Sequence, residues 1–236
     1  MFYYYGRIKQ IAHLYPKPKY STIIEPFAGS AAYALHYAHP DTKVILIDKN
    51  PNVADVWHYL LAASKNDILS LPDVSVGDDI RKITTLSPAE RKLIGFHINP
   101  GSASPCNFVM KASRWAAGKK YITNNIHRIK GWEFLQQEYT DAPQIEATWF
   151  IDPPFEVGGN HYTCNSIDYN FLAEWSKNRS GQVIVCEAEP ATWLPFTWLG
   201  DGVNNGGLNG AKKRSNLIWT NTQSFESTDM QYEVDW

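Results

Sequence analysis

The apolar run Ala147-Thr148-Trp149-Phe150-Ile151, cut off by Asp152-Pro153-Pro154-Phe155, constrains the chain more than any other stretch. A run of that length, rich in aromatic and β-branched side chains and stopped by two prolines, predicts a buried strand ending in a rigid loop. Asp152 then stands at the strand's carboxyl edge, where open α/β sheets bind their ligands. The two prolines fix their own φ angles and remove two N–H donors, so carbonyls dominate the loop between the Asp152 carboxylate and the Phe155 ring. Such a trio suits chemistry at an exocyclic amine of a heteroaromatic base, whose lone pair is delocalised into the ring. If Asp152 and the Pro153 carbonyl each accept one amine hydrogen, the nitrogen is drawn toward tetrahedral geometry and its lone pair can reach an electrophile. The Phe155 ring can hold the base by stacking. The bland alternative is that Asp-Pro-Pro merely ends a strand, as these residue types often do.

Earlier in the chain, Ser21-Thr22-Ile23-Ile24 reads as a strand that runs into Glu25-Pro26-Phe27-Ala28-Gly29-Ser30, followed by helical composition from Ala31 to Tyr37. Strand, glycine turn and helix start form an arrangement for a nucleotide-like cofactor: Gly29 permits the tight turn and the helix N-terminus offers free N–H groups. One glycine is too few for a pyrophosphate fingerprint, which needs three. A second strand, Val44 to Ile47, ends in Asp48, placed to accept hydrogen bonds from ribose hydroxyls. A ribose-bearing cofactor without pyrophosphate fits both halves; the alternative is that Asp48 only opens the turn Asp48-Lys49-Asn50-Pro51. Helices are expected over Arg7 to Leu14, ended by Pro16 and Pro18, and over Val53 to Ala63, whose apolar residues recur at helical spacing. The stretch from Ile129 to Tyr139 returns to the core through Trp132, Phe134 and Leu135 and carries Glu138 to a further strand end. Beyond the proline loop, Gly158-Gly159-Asn160 suggests a lid and Asp168 caps a helix to Lys177. Strands follow at Gln182 to Cys186 and at Leu217 to Trp219, with a glycine- and asparagine-rich loop from Gly200 to Gly210 between them.

Charge is distributed unevenly. The chain is net −2, yet Arg91, Lys92, Lys111, Arg114, Lys119, Lys120, Arg128 and Lys130 lie between Glu90 and Glu133 with no carboxylate among them. A stretch of this length would hold about four acids on average, so the segment reads as a footprint for phosphates. A solvated helical face is the competing explanation. Turn-forming residues from Gly101 to Pro105 suggest a small inserted subdomain of helices and loops. The triplet Lys212-Lys213-Arg214 is a second candidate for phosphate contact. No role follows for the acidic tail from Glu226 to Trp236.

With 3 cysteines far apart and 7 histidines without paired spacing, neither a disulfide framework nor a metal site is indicated. No apolar run has the length of a bilayer span and the N-terminus lacks a signal-peptide pattern, so a cytoplasmic protein without membrane contact is expected. At 236 residues the default is one α/β domain with an insertion.

Taken together, Glu25-Pro26-Phe27-Ala28-Gly29-Ser30 and Asp152-Pro153-Pro154-Phe155 resemble the cofactor and catalytic motifs of the Dam-type DNA adenine-N6 methyltransferases, whose catalytic motif is normally written DPPY. Tyr4-Tyr5-Gly6-Arg7 resembles that family's N-terminal motif, and Arg214 to Asn221 its final strand. The resemblance implies a Rossmann-like α/β sheet with helices on both faces. Residues 1–70 and 130–236 would form the catalytic domain, and residues 71–129 an inserted target-recognition subdomain. It implies S-adenosylmethionine as cofactor, held by Tyr5, Gly6, Glu25, Pro26, Phe27, Gly29, Ser30, Asp48, Lys49, Glu138 and Tyr139, and no metal. The catalytic loop would be Asp152, Pro153, Pro154 and Phe155, the last standing where tyrosine is usual. Double-stranded DNA is the implied partner, and the charge pattern, apart from the resemblance, offers Lys111, Arg114, Lys119, Lys120, Lys212, Lys213 and Arg214 as its contacts. The implied setting is a bacterial or phage-infected cell, with a cognate nuclease where restriction–modification operates. Cytosine-N4 or RNA methylation and an inactive DNA-binding protein are the alternatives; serine commonly replaces the aspartate in cytosine-N4 enzymes, so Asp152 argues for adenine.

Overall fold

The computed structural model describes residues 1–4, 11–98, 103–110, 113–203 and 213–222. Seven strands form one sheet: β1 (Thr22–Glu25), β2 (Lys43–Ile47), β3 (Glu133–Leu135), β4 (Ala147–Ile151), β5 (Gly181–Ala188), β6 (Thr197–Val203) and β7 (Lys213–Thr220). Their order is β3-β2-β1-β4-β5-β7-β6. Pairings among β1 to β5 are parallel, whereas β7 runs antiparallel to both β5 and β6. The expected Rossmann-like arrangement is thus the observed one, and the strand order reverses between β1 and β4, where such sheets place their ligands.

The strands are apolar on both sides because both faces are covered. On one face, Ile23, Val44, Leu46, Phe150, Ile184 and Cys186 pack in a core with helices α1 (Ala32–Tyr37) and α2 (Pro51–Ala62). On the other, Ile24, Ile45, Trp149, Ile151, Val183 and Val185 pack with Leu172, Ala173 and Trp175 of the helix Tyr169–Lys177. Residues 71–129 contribute helices that include Pro88–Ile98 and Trp115–Asn125. With Lys65–Ser70 preceding them, these helices are α3 (Lys65–Ser70), α4 (Pro88–Ile98) and α5 (Trp115–Asn125), and Tyr169–Lys177 is α6. Leu93, Ile94, Phe96, Trp115 and Ile122 of α4 and α5 join the same core as Leu46 and Trp57. These helices therefore pack on the sheet's first face through a shared core.

Helix starts follow capping chemistry. Asn50 caps α2 ahead of Pro51, Ser64 and Asp67 form a capping box on α3, Ser87 and Glu90 exchange the equivalent bonds on α4, and Asp168 accepts the Phe171 amide at 3.0 Å on α6. Of the helix expected over Arg7 to Leu14, Ile11 is helical and Ala12–Leu14 form a 3₁₀ turn, while residues 7–10 lie outside the described residues. One expectation needs correction. The expected loop from Gly200 to Gly210 begins as strand β6, because pairing with β7 satisfies its backbone despite Gly200 and Gly202. The remainder of that loop and the acidic tail lie outside the described residues.

Candidate active site

The carboxyl ends of β1, β2 and β4 and the segment after β3 converge on one pocket of about 810 Å³, open mouth included. Its wall contains Glu25, Pro26, Phe27, Gly29 and Ser30 from the β1 turn, Asp48 and Lys49 from β2, Glu138 and Tyr139 after β3, and Asp152 and Pro154 after β4. Every described residue assigned to the cofactor from the sequence lines this pocket; Tyr5 and Gly6 lie outside the described residues. Tyr4, Asn50, Gln137, Tyr162, Cys164 and Ile167 also line it and have no counterpart in the sequence-based site. They come from short loops with no periodicity to announce them, although Tyr4 adjoins the N-terminal motif.

The β1 turn is held from three sides. The Gly29 amide donates to Asp48 Oδ2 at 3.0 Å, the Trp57 indole donates to the Gly29 carbonyl at 2.8 Å, and the Tyr4 ring covers the Gly29 α-carbon. Gly29 has a φ of 45°, and a Cβ there would sit 2.9 Å from the Tyr4 ring, so glycine is required on both counts. Asp48 is bonded to the turn that follows it as well, accepting the Asn50 amide at 2.9 Å through Oδ1. The turn reading and the pocket reading of Asp48 thus hold together, since each carboxylate oxygen retains a lone pair. Burial pushes Asp48 up to about 6, against the lowering effect of the Asn50 and Gly29 amides and of Lys49. Glu25, almost fully buried, accepts the Ala34 amide at 2.6 Å and so caps α1; burial outweighs that bond and pushes its carboxyl up to about 8. Lys49 Nζ pairs with Glu138 Oε1 at 3.1 Å across the rim.

Four acidic side chains line the wall, of which Glu25 is held protonated by burial; Asp48, Glu138 and Asp152 against a single lysine suit a ligand bearing positive charge and hydroxyls and disfavour a phosphate. Phe27 and Tyr139, with ring centroids 5.0 Å apart, add a flat apolar surface beside Ile167. This donor set fits S-adenosylmethionine, which carries a sulfonium, an ammonium, a ribose and a purine ring.

The Asp152–Phe155 loop is rigid for reasons beyond its prolines. Tyr169 Oη donates to the Pro154 carbonyl at 2.7 Å and the Gly159 amide to the Phe155 carbonyl at 3.0 Å. The Pro153 carbonyl takes no hydrogen bond from the described residues. Pro153 itself is buried and Phe155 half-buried against the core below the sheet's first face. Gly159 is packed so closely on Pro154 that a Cβ would lie 3.0 Å from its carbonyl carbon. The Gly158-Gly159 pair, expected to be a lid, includes a packed turn under the loop.

Residues 7–85 match the family model of the D12 class N6 adenine-specific DNA methyltransferases. Over that segment the chain is similar to this family. The match covers the Glu25–Ser30 turn and Asp48 and bears out the adenine-N6 DNA methyltransferase reading, with S-adenosylmethionine as methyl donor and DNA as substrate. Comparison with curated proteins yields no match. Among solved structures, the chain is similar to a putative methylase from Haemophilus influenzae at 13% identity and TM-score 0.37, covering 92% of this chain and 90% of that one. Others are a conserved hypothetical protein of Streptococcus pyogenes (11% identity, TM-score 0.37, 89% and 91% covered) and an O-methyltransferase from Thermotoga maritima (10% identity, TM-score 0.34, 93% and 64% covered).

Several cations of the basic segment bond within the protein. Lys130 Nζ donates to the Leu61 and Ala63 carbonyls at the end of α2, Arg128 to the Leu35 carbonyl near the end of α1, and Lys119 to the Leu71 carbonyl after α3. Three helix C-termini are thereby capped by cations, which complements both their orphan carbonyls and their dipoles. Arg91 bonds the Ile80 and Leu86 carbonyls, and Lys92 pairs with Asp55. Lys119, expected at a phosphate, is thus turned inward, with Asp73 as a second partner. Arg114, over the Tyr3 ring, and Lys120 remain exposed. Lys111 and Lys212 lie outside the described residues, as do the side chains of Lys213 and Arg214.

Proposed function

We propose that the protein methylates the N6 amine of an adenine flipped out of double-stranded DNA, with Asp152 and the Pro153 carbonyl as the two acceptors of the amine hydrogens. The observation that carries this reading is the loop's hydrogen bonding: the Pro154 and Phe155 carbonyls are bonded within the protein, while that of Pro153, next to the Asp152 carboxylate, is not bonded by any described residue. When bound, S-adenosylmethionine supplies an electrophilic methyl group. Asp152 and Pro153 turn the amine lone pair out of conjugation, and Asp152 is the base to which the surplus amine proton passes. Phe155 stacks on the flipped base. Asp48 accepts from the ribose hydroxyls, Glu138 from the cofactor's adenine amine, and Phe27 and Tyr139 flank that ring.

Residues 1–70 and 130–236 act as the catalytic part and residues 71–129 as the target-recognition insert, with Lys111, Arg114 and Lys120 of the insert and Lys212, Lys213 and Arg214 of the catalytic part as phosphate contacts. The enzyme works in the cytoplasm of a bacterial or phage-infected cell, and in a restriction–modification setting a cognate nuclease cuts the same sequence when unmethylated. Incubation with labelled cofactor and unmethylated duplex DNA, followed by nucleoside analysis, tests the reading. N6-methyladenine is expected; N4-methylcytosine, methylated RNA alone or no transfer contradicts it.

A further inference from the structure

Glu187, the last residue but one of β5, lies next to the proline loop and is only 1% exposed. Three neutral N–H groups converge on its carboxylate: the Glu156 amide at 3.1 Å and the Trp193 indole at 3.0 Å on Oε2, and the Ala188 amide at 2.9 Å on Oε1. A carboxylate in the interior is costly to bury, and this one is retained where its bonds fall on the residue directly after Phe155. Tyr169, the first residue of α6, bonds the same loop from the other side through the Pro154 carbonyl, and its ring lies 5.6 Å from that of Trp193. Glu187, Trp193 and Tyr169 therefore form one bracket around residues 154–156, built from β5, the segment after it and α6. Burial, with Glu187 and Glu156 adding to it, keeps the Tyr169 hydroxyl protonated by raising it to about 12, so it remains a donor throughout the working range.

The bracket acts at both ends of one short unit. Prolines cannot donate, so after Asp152 the next amides with which this loop can be held lie beyond Pro154. Of these, the Glu156 amide is the one that Glu187 takes. Fixing the Pro154 carbonyl and the Glu156 amide orients the two peptide planes that flank Phe155, and the first of these adjoins Pro153.

We propose that Glu187 and Tyr169 are positioning residues for methyl transfer, setting the pose of the Pro153 carbonyl and the Phe155 ring without touching the substrate. This inference rests on the reading of Asp152–Phe155 as the catalytic loop. Removing either contact lets the loop relax by a fraction of an ångström, and misplacement of about 1 Å can cost on the order of a hundred-fold in rate. Tyr169→Phe deletes one hydroxyl and leaves the ring packing intact; Glu187→Gln keeps shape but turns an amide N–H₂ toward donors.

The experiment measures kcat with saturating cofactor and unmethylated plasmid DNA for wild type, Tyr169→Phe, Glu187→Gln and the double variant. It is run well below each thermal midpoint, with cofactor affinity by calorimetry. The expected result is a kcat about ten-fold lower for Tyr169→Phe and lower still for Glu187→Gln, with cofactor Kd within about two-fold of wild type. Because both act on one loop, the double variant should lose less than the product of the single losses. Should Glu187→Gln fail to fold, Tyr169→Phe decides alone. Wild-type kcat in Tyr169→Phe, or a fall in cofactor affinity that matches the fall in kcat, overturns the inference. Wild-type protein that transfers no methyl group to DNA overturns the parent reading, and this inference with it.

Discussion

The Asp48 carboxylate accepts the Gly29 amide at 3.0 Å, tying the end of β2 to the turn after β1 with the residue that also faces the cofactor pocket. One side chain therefore carries two separable functions. Asp48→Asn removes the charge and keeps one of the two acceptors of the turn, and cofactor affinity should fall by on the order of 1–3 kcal/mol, the penalty for losing a charged hydrogen-bond partner. Asp48→Ala should lower thermal stability further than Asp48→Asn, since the Gly29 and Asn50 amides both lose their acceptor. Calorimetry and melting curves on the two variants separate these effects; unchanged affinity in both reduces Asp48 to a turn residue.

Stability should fall as pH rises above neutrality, opposite to the usual behaviour of a carboxylate. Glu25 has a folded value of about 8 against an ordinary 4.5, so between these limits the folded chain binds a proton that the unfolded chain has released, and each step upward in pH favours unfolding. Asp48 acts in the same sense between 3.8 and about 6. His97, lowered to about 3 by burial, acts oppositely between about 3 and 6.5, where the unfolded chain binds the extra proton. From pH 6.5 to 8 only the Glu25 effect remains of these three, worth on the order of a kcal/mol per pH unit. Melting temperatures should drop over that interval and Glu25→Gln should flatten the drop. A wild-type stability that rises from pH 6.5 to 8 contradicts the buried, protonated Glu25.

The inward cations give a further contrast. Lys130→Met or Lys119→Met should lower stability by about 0.5–1 kcal/mol through loss of a helix C-terminal cap and leave the salt dependence of DNA binding unchanged. Arg114→Ala and Lys120→Ala should each lower the log–log salt slope by about 0.9 with stability unaffected. Titrations of DNA affinity against salt for the four variants check both halves.

Most of the sheet is legible in the sequence because β1, β2, β4 and β5 are apolar runs bounded by Gly, Pro or Asp, and α6 declares itself through its Asp168 cap. The parts that escape it have physical causes. Strand β6 contains Gly200, Asp201 and Gly202, residues that favour turns locally, and its structure comes from pairing with β7. The pocket's acids at strand ends can be read from their positions, whereas Tyr162, Cys164 and Ile167 reach it from the loop ahead of α6. Charge counts between Glu90 and Glu133 register cations without showing where they point, and three of them point at helix ends. Glu187 looks like the polar terminus of an apolar strand until the chain brings the Glu156 amide to it.

The account depends most on Asp152. Asp152→Ala should abolish transfer of labelled methyl groups to duplex DNA while S-adenosylmethionine affinity, measured by calorimetry on the same preparation, stays within a few-fold of wild type, because the carboxylate acts on the target amine. Phe155→Tyr should remain active, since stacking survives, and Phe155→Ala should be severely impaired. Near-normal turnover in Asp152→Ala, with folding and cofactor affinity intact, would contradict the assignment of this loop as the site of amine activation.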